Sequence, residues 1–184
     1  MNRSTLDKLI SSTGVILAIV LLAASGALFY AHSFIHTQVH NQLADEKVMF
    51  PAAGSSGLTS LPAADQQAVA AYAGQQLLTG AQAEVFADHY IAVHLKEIGG
   101  GKTYSELSAA SMADPSDTAL AAKVNTVFKG ETLRGMLLNA YAFDTMALVA
   151  YCAAFGALIA GILLLFLAAL GFRHAGAVAR AKRR

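Results

Sequence analysis

The stretch that decides the fold lies near the C-terminus and reads MALVAYCAAFGALIAGILLLFLAALGF, from Met146 to Phe172. It contains no charged side chain. A helix needs about 20 apolar residues to cross the ~30 Å hydrocarbon core of a bilayer. Residues 146–172 are therefore predicted to form a transmembrane helix.

A second apolar run lies near the N-terminus. Residues 14–31 carry no charge, and Phe34 and Ile35 prolong the run, so we predict a first transmembrane helix over residues 14–35. A cleaved signal peptide is the alternative, because the small residues 25–27 follow a basic start and suit a cleavage site. The run continues past this site without a polar break, which favours an uncleaved anchor.

The composition of the whole chain supports a membrane protein. Hydrophobic residues make up 55% and charged residues 14%, against roughly 25% charged in soluble domains. The net charge of +1 and the absence of Trp argue against a nucleic-acid partner. Cys152 is the only cysteine, so neither an intramolecular disulfide nor a cysteine metal cluster can form. The lipid bilayer is the first predicted partner.

The distribution of charge predicts the orientation. The tail, residues 173–184, carries five basic residues and no acid, whereas residues 36–145 hold eleven of the twelve acids. Basic residues beside membrane spans concentrate on the cytoplasmic side. We therefore predict a multi-pass cell-membrane protein with both termini, residues 1–13 and 173–184, in the cytoplasm and residues 36–145 outside.

Residues 36–145 are predicted to be helical almost throughout. His36 to Phe50 contains no Gly or Pro and should extend the first span as a stalk. Further helices are predicted from Pro62 to about Leu78, from Ala81 to Ile98, and from near Ser116 into the second span. The predicted fold is all-α: two transmembrane helices, extended as stalks into a small extracytoplasmic helical bundle.

Two short motifs place helix ends within this segment. Gly99, Gly100 and Gly101 should stop the helix before them, because glycine adopts the left-handed cap conformation at little cost. Thr103 and Glu106 have the spacing of a capping box, which predicts that a new helix starts there.

Antiparallel stalks would also predict specific contacts. With equal rise per residue, residues at the same height have numbers that add to about 180. His36 then lies level with Asp144, and Arg134 lies level with Asp45 or Glu46. We predict both as structural salt bridges.

The histidines at positions 32, 36 and 40 recur every four residues on one helical face. Two histidines at this spacing can chelate a transition metal, and Asp144 is the further ligand that the stalk pairing offers. His36, His40 and Asp144 are therefore candidate metal ligands. A polar face at the membrane surface accounts for the same residues, and Lys47 on this face disfavours a cation. We favour that interpretation and predict no bound metal or cofactor.

His94 is the candidate polar site of the domain. At 100° per residue it lies near the centre of an apolar face on the helix from Ala81 to Ile98, formed by Ala83, Phe86, Ala87, Tyr90, Ile91 and Ile98. We predict a core histidine bonded to a backbone carbonyl or an acid. Ligand binding or proton sensing is the alternative role.

Motifs for catalysis are missing from the sequence. No serine lies in a Gly-x-Ser-x-Gly turn. Residues 99–103 lack the first glycine and the preceding strand of a phosphate-binding loop. We therefore predict that the protein is not an enzyme.

Several short segments carry a resemblance to a known family. They are Gln42-Leu-Ala-Asp-Glu46, Ala81-Gln-Ala-Glu84, His94 followed by Gly100-Gly-Lys-Thr-Tyr-Ser-Glu-Leu107, and Leu138-Asn-Ala-Tyr141. Over most of residues 40–165 the chain resembles a family of actinobacterial two-span membrane proteins of unknown function. Its members often carry an automatic label as a ring-opening dioxygenase subunit. We reject that label here, since such an enzyme needs a metal site and a soluble fold; the resemblance implies no catalytic residue.

Three hypotheses for function follow from these observations. The first is a non-enzymatic accessory or scaffold protein that binds other membrane or envelope proteins or a second copy of itself. A partner span would then pack against the small-residue faces Gly156-xxx-Ala160, Ala157-xxx-Gly161 and Ala23-xxx-Ala27. The second is a receptor-like extracytoplasmic sensing module that signals through a separate partner. The third is a metal-binding protein that uses the stalk histidines His36 and His40.

Overall fold

A computed structural model describes residues 3–181. Residues 1–2 and 182–184, with three of the five basic residues of the predicted cytoplasmic tail, lie outside this part. The described residues confirm an all-α fold, in which the one pairing of extended backbone is an isolated bridge between Met49 and Gln76. The elements are α1 (Arg3–Glu46), α2 (Ser56–Thr59), α3 (Ala63–Ala70), α4 (Gly80–Val85), a π-helical segment (Phe86–Ile91), α5 (Ala92–Gly99), α6 (Tyr104–Ala113) and α7 (Thr118–Ala181).

The chain divides into two compact units. The first, the helix pair, comprises Met1–Phe34 and Met146–Arg184, and the second, the helical domain, comprises Ile35–Thr145. The two longest helices, α1 and α7, are long and apolar enough to cross a membrane, by length and composition.

The helix pair is held together by small residues that recur every seven positions. Ser25 Oγ donates a hydrogen bond to the Ala154 carbonyl (2.9 Å), and Ser4 Oγ donates one to the Ala175 carbonyl (3.2 Å). Both pairs of residue numbers add to about 180, as antiparallel helices of equal rise require. The repeat comprises Ser4, Ser11, Ala18 and Ser25 on α1 and Ala147, Ala154, Gly161, Ala168 and Ala175 on α7. A strict seven-residue repeat requires a left-handed supercoil, and small side chains let the two backbones approach closely.

The small residues that the sequence suggested for a partner span are divided between two environments. Gly161 is buried inside the helix pair, where a Cβ would lie 3.0 Å from Leu22 Cδ2. Gly156, Ala23 and Ala27 are exposed. The outer surfaces of α1 and α7 otherwise present large apolar side chains, among them Ile16, Val20, Leu163 and Phe166.

The helical domain has its own apolar core. Phe50, Leu77, Phe86 and Val69 are buried at its centre, with Leu58, Leu61, Ile91, Leu95, Leu137, Val39 and Leu43 around them. Phe50 contacts the ring of Phe86 edge to face at a centroid distance of 5.2 Å. Such pairs contribute about 1 kcal/mol beyond the area that they bury.

The helix predicted from Pro62 to about Leu78 is shorter than expected. α3 ends at Ala70, and Gly74 takes a left-handed conformation with φ 70°. The chain is then extended, because Leu77 N–H donates to the Val48 carbonyl and Phe50 N–H donates to the Gln75 carbonyl (both 2.9 Å). These bonds between distant segments replace the helical bonds that residues 71–78 would otherwise make.

The predicted helix from Ala81 to Ile98 is present, from Gly80 to Gly99, but a π-helical segment interrupts it. A π turn adds a residue and so rotates all later side chains by about 100° relative to a regular helix. One row of buried positions consequently recurs every four residues, at Ala83, Ala87, Ile91, Leu95 and Gly99, and Gly80, Gln82 and Phe86 are buried as well. Ile98, predicted for the core face, is exposed, and Leu95 takes that place.

The predicted caps of this region are observed. Gly100 ends α5 in the left-handed conformation, with φ 61°. Thr103 and Glu106 form a capping box at the start of α6, in which Thr103 N–H donates to Glu106 Oε2 at 2.7 Å. That backbone bond and the Thr103 hydroxyl, aided by the charge of Lys102, lower the pKa of Glu106. A second capping box, Thr79 with Gln82, starts α4.

Candidate functional site

A polar junction in the helical domain contains two of the candidate metal ligands. His36 Nδ1 on α1 lies 2.9 Å from Asp144 Oδ1 on α7, which confirms the predicted pairing of these residues. The other carboxylate oxygen of Asp144 accepts a hydrogen bond from Gly80 N–H at the start of α4 (3.1 Å). Asp144 therefore joins three helices. Gly80 is required here, since a Cβ at this position would collide with Asp144 Cβ and lie 2.9 Å from its Oδ2.

The metal hypothesis gains no further ligand from the described residues. His40 is exposed one turn further along α1. Among residues 3–181, no group of three or more His, Cys, Asp or Glu side chains is arranged to hold a metal ion. Metal binding by His36, His40 and Asp144 stays the disfavoured alternative that the sequence left open.

His32, the first histidine of the same face, lies in the helix pair. Its Nδ1 is 2.9 Å from the Ala147 carbonyl, and its ring packs on Tyr151 with a centroid distance of 4.8 Å. Tyr151 also contacts Phe29 and Phe155, so His32 borders an aromatic cluster. Because the Ala147 carbonyl must accept this bond, Nδ1 carries the proton in this arrangement.

The second candidate, His94, is half-buried rather than central to the core. Its Nδ1–H donates to the Tyr90 carbonyl, one turn earlier on the same helix, at 2.8 Å, which confirms the predicted bond to a backbone carbonyl. Its ring lies on that of Tyr90. The prediction that His94 occupies the centre of the core face is wrong, because the π-helical segment turns Leu95 toward the core instead.

The predicted salt bridge of Arg134 with Asp45 or Glu46 is also wrong. Arg134 Nη2 donates to Asp88 Oδ1 in the π-helical segment at 2.7 Å, and its Nη1 lies 3.8 Å from Glu131 Oε2. α5 packs directly against α7 beside this site, where the buried Leu95 covers Gly130. Arg134 consequently meets an acid from the helix that covers α7 rather than one from α1.

A cavity of about 150 Å³ with a basic lining lies beside Arg134. We call it the basic pocket. Its positive charges come from Lys96 of α5, from Lys102 in the loop that follows Gly99-Gly100-Gly101, and from Arg134 of α7. Glu131 supplies one negative charge. The rest of its wall comprises Ala92, Leu95, Gly101, Thr103 and Val127. The sequence did not indicate this site, because its residues come from three separate segments that only the packing of α5 on α7 brings together.

A larger cleft, of about 460 Å³, lies in the helix pair. It is mostly apolar and includes Asp7 and His174, whose Oδ2 and Nε2 atoms lie 3.9 Å apart. Asp7 Oδ2 is buried and accepts no hydrogen bond from the described residues. Asp7 lies in the first turns of α1, which begins at Arg3, within the segment predicted to be cytoplasmic.

Comparison with known proteins adds no relative: no protein-family model, no curated protein and no solved structure matches this chain. The resemblance to the actinobacterial two-span family therefore stays a prediction. The fold defines the class instead, an all-α chain with two helices long and apolar enough to cross a membrane.

Proposed function

We propose that the protein is a non-enzymatic accessory membrane protein that binds another membrane protein through an exposed apolar row on α7. The row consists of Phe128, Met136 and Phe143, which are 51%, 63% and 53% exposed. At 100° per residue the three side chains fall within an arc of about 80° over a length of about 22 Å. This row is the observation that carries the proposal.

The alignment of these exposed apolar side chains is what makes the row significant. Single exposed apolar residues are ordinary, but an aligned set marks an interaction surface. Tyr104 of α6 lies against Phe128, with ring centroids 5.6 Å apart, and widens the row at one end. The three apolar side chains are seven and eight residues apart, with the exposed Thr132 and Asn139 between them in the same arc. Apolar anchors two helical turns apart suit the apolar face of a partner helix, which docks through such anchors.

The membrane location supports the same proposal. The helix pair buries small residues between its helices and exposes large apolar ones, the arrangement expected when lipid rather than water surrounds it. With basic residues beside both apolar runs, we infer that α1 and α7 cross the cell membrane. The termini then lie in the cytoplasm and the helical domain lies outside.

Cysteine labelling in whole cells tests this topology. Cys152 is the only cysteine, so Cys152→Ala provides a background without thiols. Single cysteines at Ser60 and Ser116 in the domain are expected to react with an impermeant maleimide in intact cells. Single cysteines at Thr5 and Arg173 are expected to react only after permeabilisation. Labelling of all four in intact cells, or of none, contradicts the proposed topology, and absence of the chain from washed membranes contradicts membrane insertion.

Photo-crosslinking tests the apolar row. A photoreactive phenylalanine at Met136 is expected to join the chain to another membrane protein, and Phe128→Asp in the same chain is expected to reduce that product roughly tenfold or more, as loss of an interface anchor does. The product is measured on a gel and identified by mass spectrometry after purification in mild detergent.

Gln67, exposed on α3, provides the matched control. The photoreactive residue at Gln67 should give no such product, and Gln67→Glu, which also adds one negative charge, should leave the Met136 product unchanged. A product that is a second copy of this chain would replace the proposed partner by a homo-oligomer. Equal products from positions 136 and 67 would refute the row as a docking surface.

The receptor-like alternative is favoured by a different observation, the basic pocket of the helical domain. Small-molecule sites are concave and combine apolar walls with a few convergent polar groups, and the basic pocket has both features on a small scale. In this alternative the domain binds a ligand outside the cell, and a separate partner protein carries the signal onward.

A further inference from the structure

We propose that the basic pocket binds a small oxyanion, of the size of inorganic phosphate or a short dicarboxylate. Lys96, Lys102 and Arg134 line a space of about 150 Å³, and Glu131 is the one acid of the lining. Because a water molecule occupies about 30 Å³ of liquid, this space corresponds to roughly five waters. A compact anion fits this space, whereas most of a nucleotide or a peptide would lie outside it.

The guanidinium group of Arg134 has N–H donors that its ion pairs within the protein do not use. Nη2 donates to Asp88, but Nη1 is 3.8 Å from Glu131, which is too long for a hydrogen bond. The Nε–H is closed off from solvent and so does not face the pocket, which leaves the two Nη groups as the donors that Arg134 offers to a ligand there. Guanidinium groups bind carboxylate and phosphate oxygens with several donors at once. An oxyanion in the pocket would supply acceptors that the protein does not.

The two lysines differ from Arg134 in their surroundings. Lys96 and Lys102 are exposed at the edge of the cavity. Lys102 also faces Glu106, whose charge is already engaged by Thr103 in the capping box. Both lysines can therefore turn toward an anion without leaving a buried partner unpaired. Ammonium groups in this position attract an anion and hold it by charge-assisted hydrogen bonds.

The pocket lies on elements that packing and backbone hydrogen bonds hold in place. Its apolar floor includes Val127, which is 2% exposed, and Leu95, which packs on Gly130. The loop that carries Lys102 is held by a hydrogen bond from Gly101 N–H to the Lys96 carbonyl at 2.8 Å. A site on fixed elements does not have to be ordered when the ligand binds, which favours affinity. The proposal goes beyond the scaffold function, and would give the receptor-like alternative its ligand.

Titration calorimetry on the full chain in detergent tests the site. Sodium phosphate, sodium succinate and neutral succinamide are titrated separately at constant ionic strength. At least one of the two anions is expected to bind saturably with one site per chain, and succinamide is not. The tighter of the two anions identifies the ligand class. No saturable binding of either anion, or equal binding of succinamide, overturns the proposal.

Matched double variants separate this pocket from a general charge effect. Lys96→Gln with Lys102→Gln is expected to weaken binding roughly 100-fold, about tenfold for each charge-assisted bond. Lys96→Arg with Lys102→Arg keeps the charges and is expected to retain binding. Lys123→Gln with Lys129→Gln removes two exposed lysines of α7 outside the pocket and is expected to change affinity less than about twofold, because salt screens surface charges. Equal weakening by both glutamine pairs would refute the site. The photo-crosslinking at Met136 tests the proposed function separately, and its outcome does not depend on whether an anion binds.

Discussion

Gly80→Ala is expected to destabilise the helical domain by about 2–4 kcal/mol, a large part of the stability of a small domain. The new Cβ would overlap Asp144 Cβ, which is bonded to the α7 backbone and cannot turn away. Overpacking of this kind costs about 1–3 kcal/mol. Moving α4 away from α7 would relieve this overlap, but it would lengthen the hydrogen bond from Gly80 N–H to Asp144. Hydrogen bonds to charged groups contribute about 1.5–3 kcal/mol to stability.

Pulse proteolysis of the full chain in detergent, across a urea series, measures this loss. Gly135→Ala is the matched control, since Gly135 is an exposed glycine of α7 where an added Cβ would meet no other atom within 4 Å. That change is expected to stabilise the protein by about 0.5–1 kcal/mol, because alanine favours the helix. A urea midpoint for Gly80→Ala equal to that of the unsubstituted protein would show that α4 does not press on Asp144.

Local signals in the sequence were sufficient for much of the fold. Thr103 and Glu106 satisfy free amide groups by themselves, and Gly100 needs no distant contact to adopt φ 61°. The long apolar run of α7 likewise depends on no tertiary contact for its helical form. Even the pairing of His36 with Asp144 followed from helix rise alone, since both residues lie on long regular helices.

The errors arose where packing between distant segments decides the conformation. α3 stops at Ala70 because residues 48–50 offer backbone partners to residues 75–77. The π-helical segment keeps every fourth residue on the core side, and a fixed angle of 100° cannot represent that change. The π-helical segment explains why His94 was wrongly placed on the core face and why the burial of Leu95 was not predicted.

The candidate site was less predictable than the fold. Arg134 is 46 residues from Asp88, and only the packing of Leu95 on Gly130 explains why they meet. The basic pocket depends on the same contact. Gly99-Gly100-Gly101-Lys102 was a visible signal in the sequence, but it indicated a helix end and not that Lys102 would face Lys96 and Arg134 across a cavity.

The seven-residue repeat of small residues can be read from the sequence. Small residues four positions apart, the spacing that predicted a partner span, do not show the repeat. Ala147, Ala154, Gly161, Ala168 and Ala175 are all small and all buried. In the proposed membrane location, apolar surface alone does not favour association of two helices, so close backbone packing would supply much of the attraction. The size of these side chains should therefore control the helix pair more strongly than their polarity.

Ala154→Ile is accordingly expected to open the helix pair. Ala154 is fully buried opposite Ser25, and three added carbon atoms at this contact would force the two backbones apart. Overpacking costs about 1–3 kcal/mol, and the bond from Ser25 Oγ to the Ala154 carbonyl would be strained as well. The neighbouring Ala153 is exposed, so Ala153→Ile adds the same atoms outside the contact and is expected to leave the pair intact.

A buried thiol reports the opening. In a Cys152→Ala background, a cysteine at Ala18, which is fully buried in the helix pair, should react slowly with a small maleimide in detergent micelles. Ala154→Ile is expected to raise that rate roughly tenfold or more, since about 1.4 kcal/mol of destabilisation multiplies the open population by ten. Equal rates in the Ala154→Ile and Ala153→Ile proteins would show that the seven-residue repeat does not hold α1 against α7. A faster rate confined to Ala154→Ile would establish that small residues set the distance between these two helices.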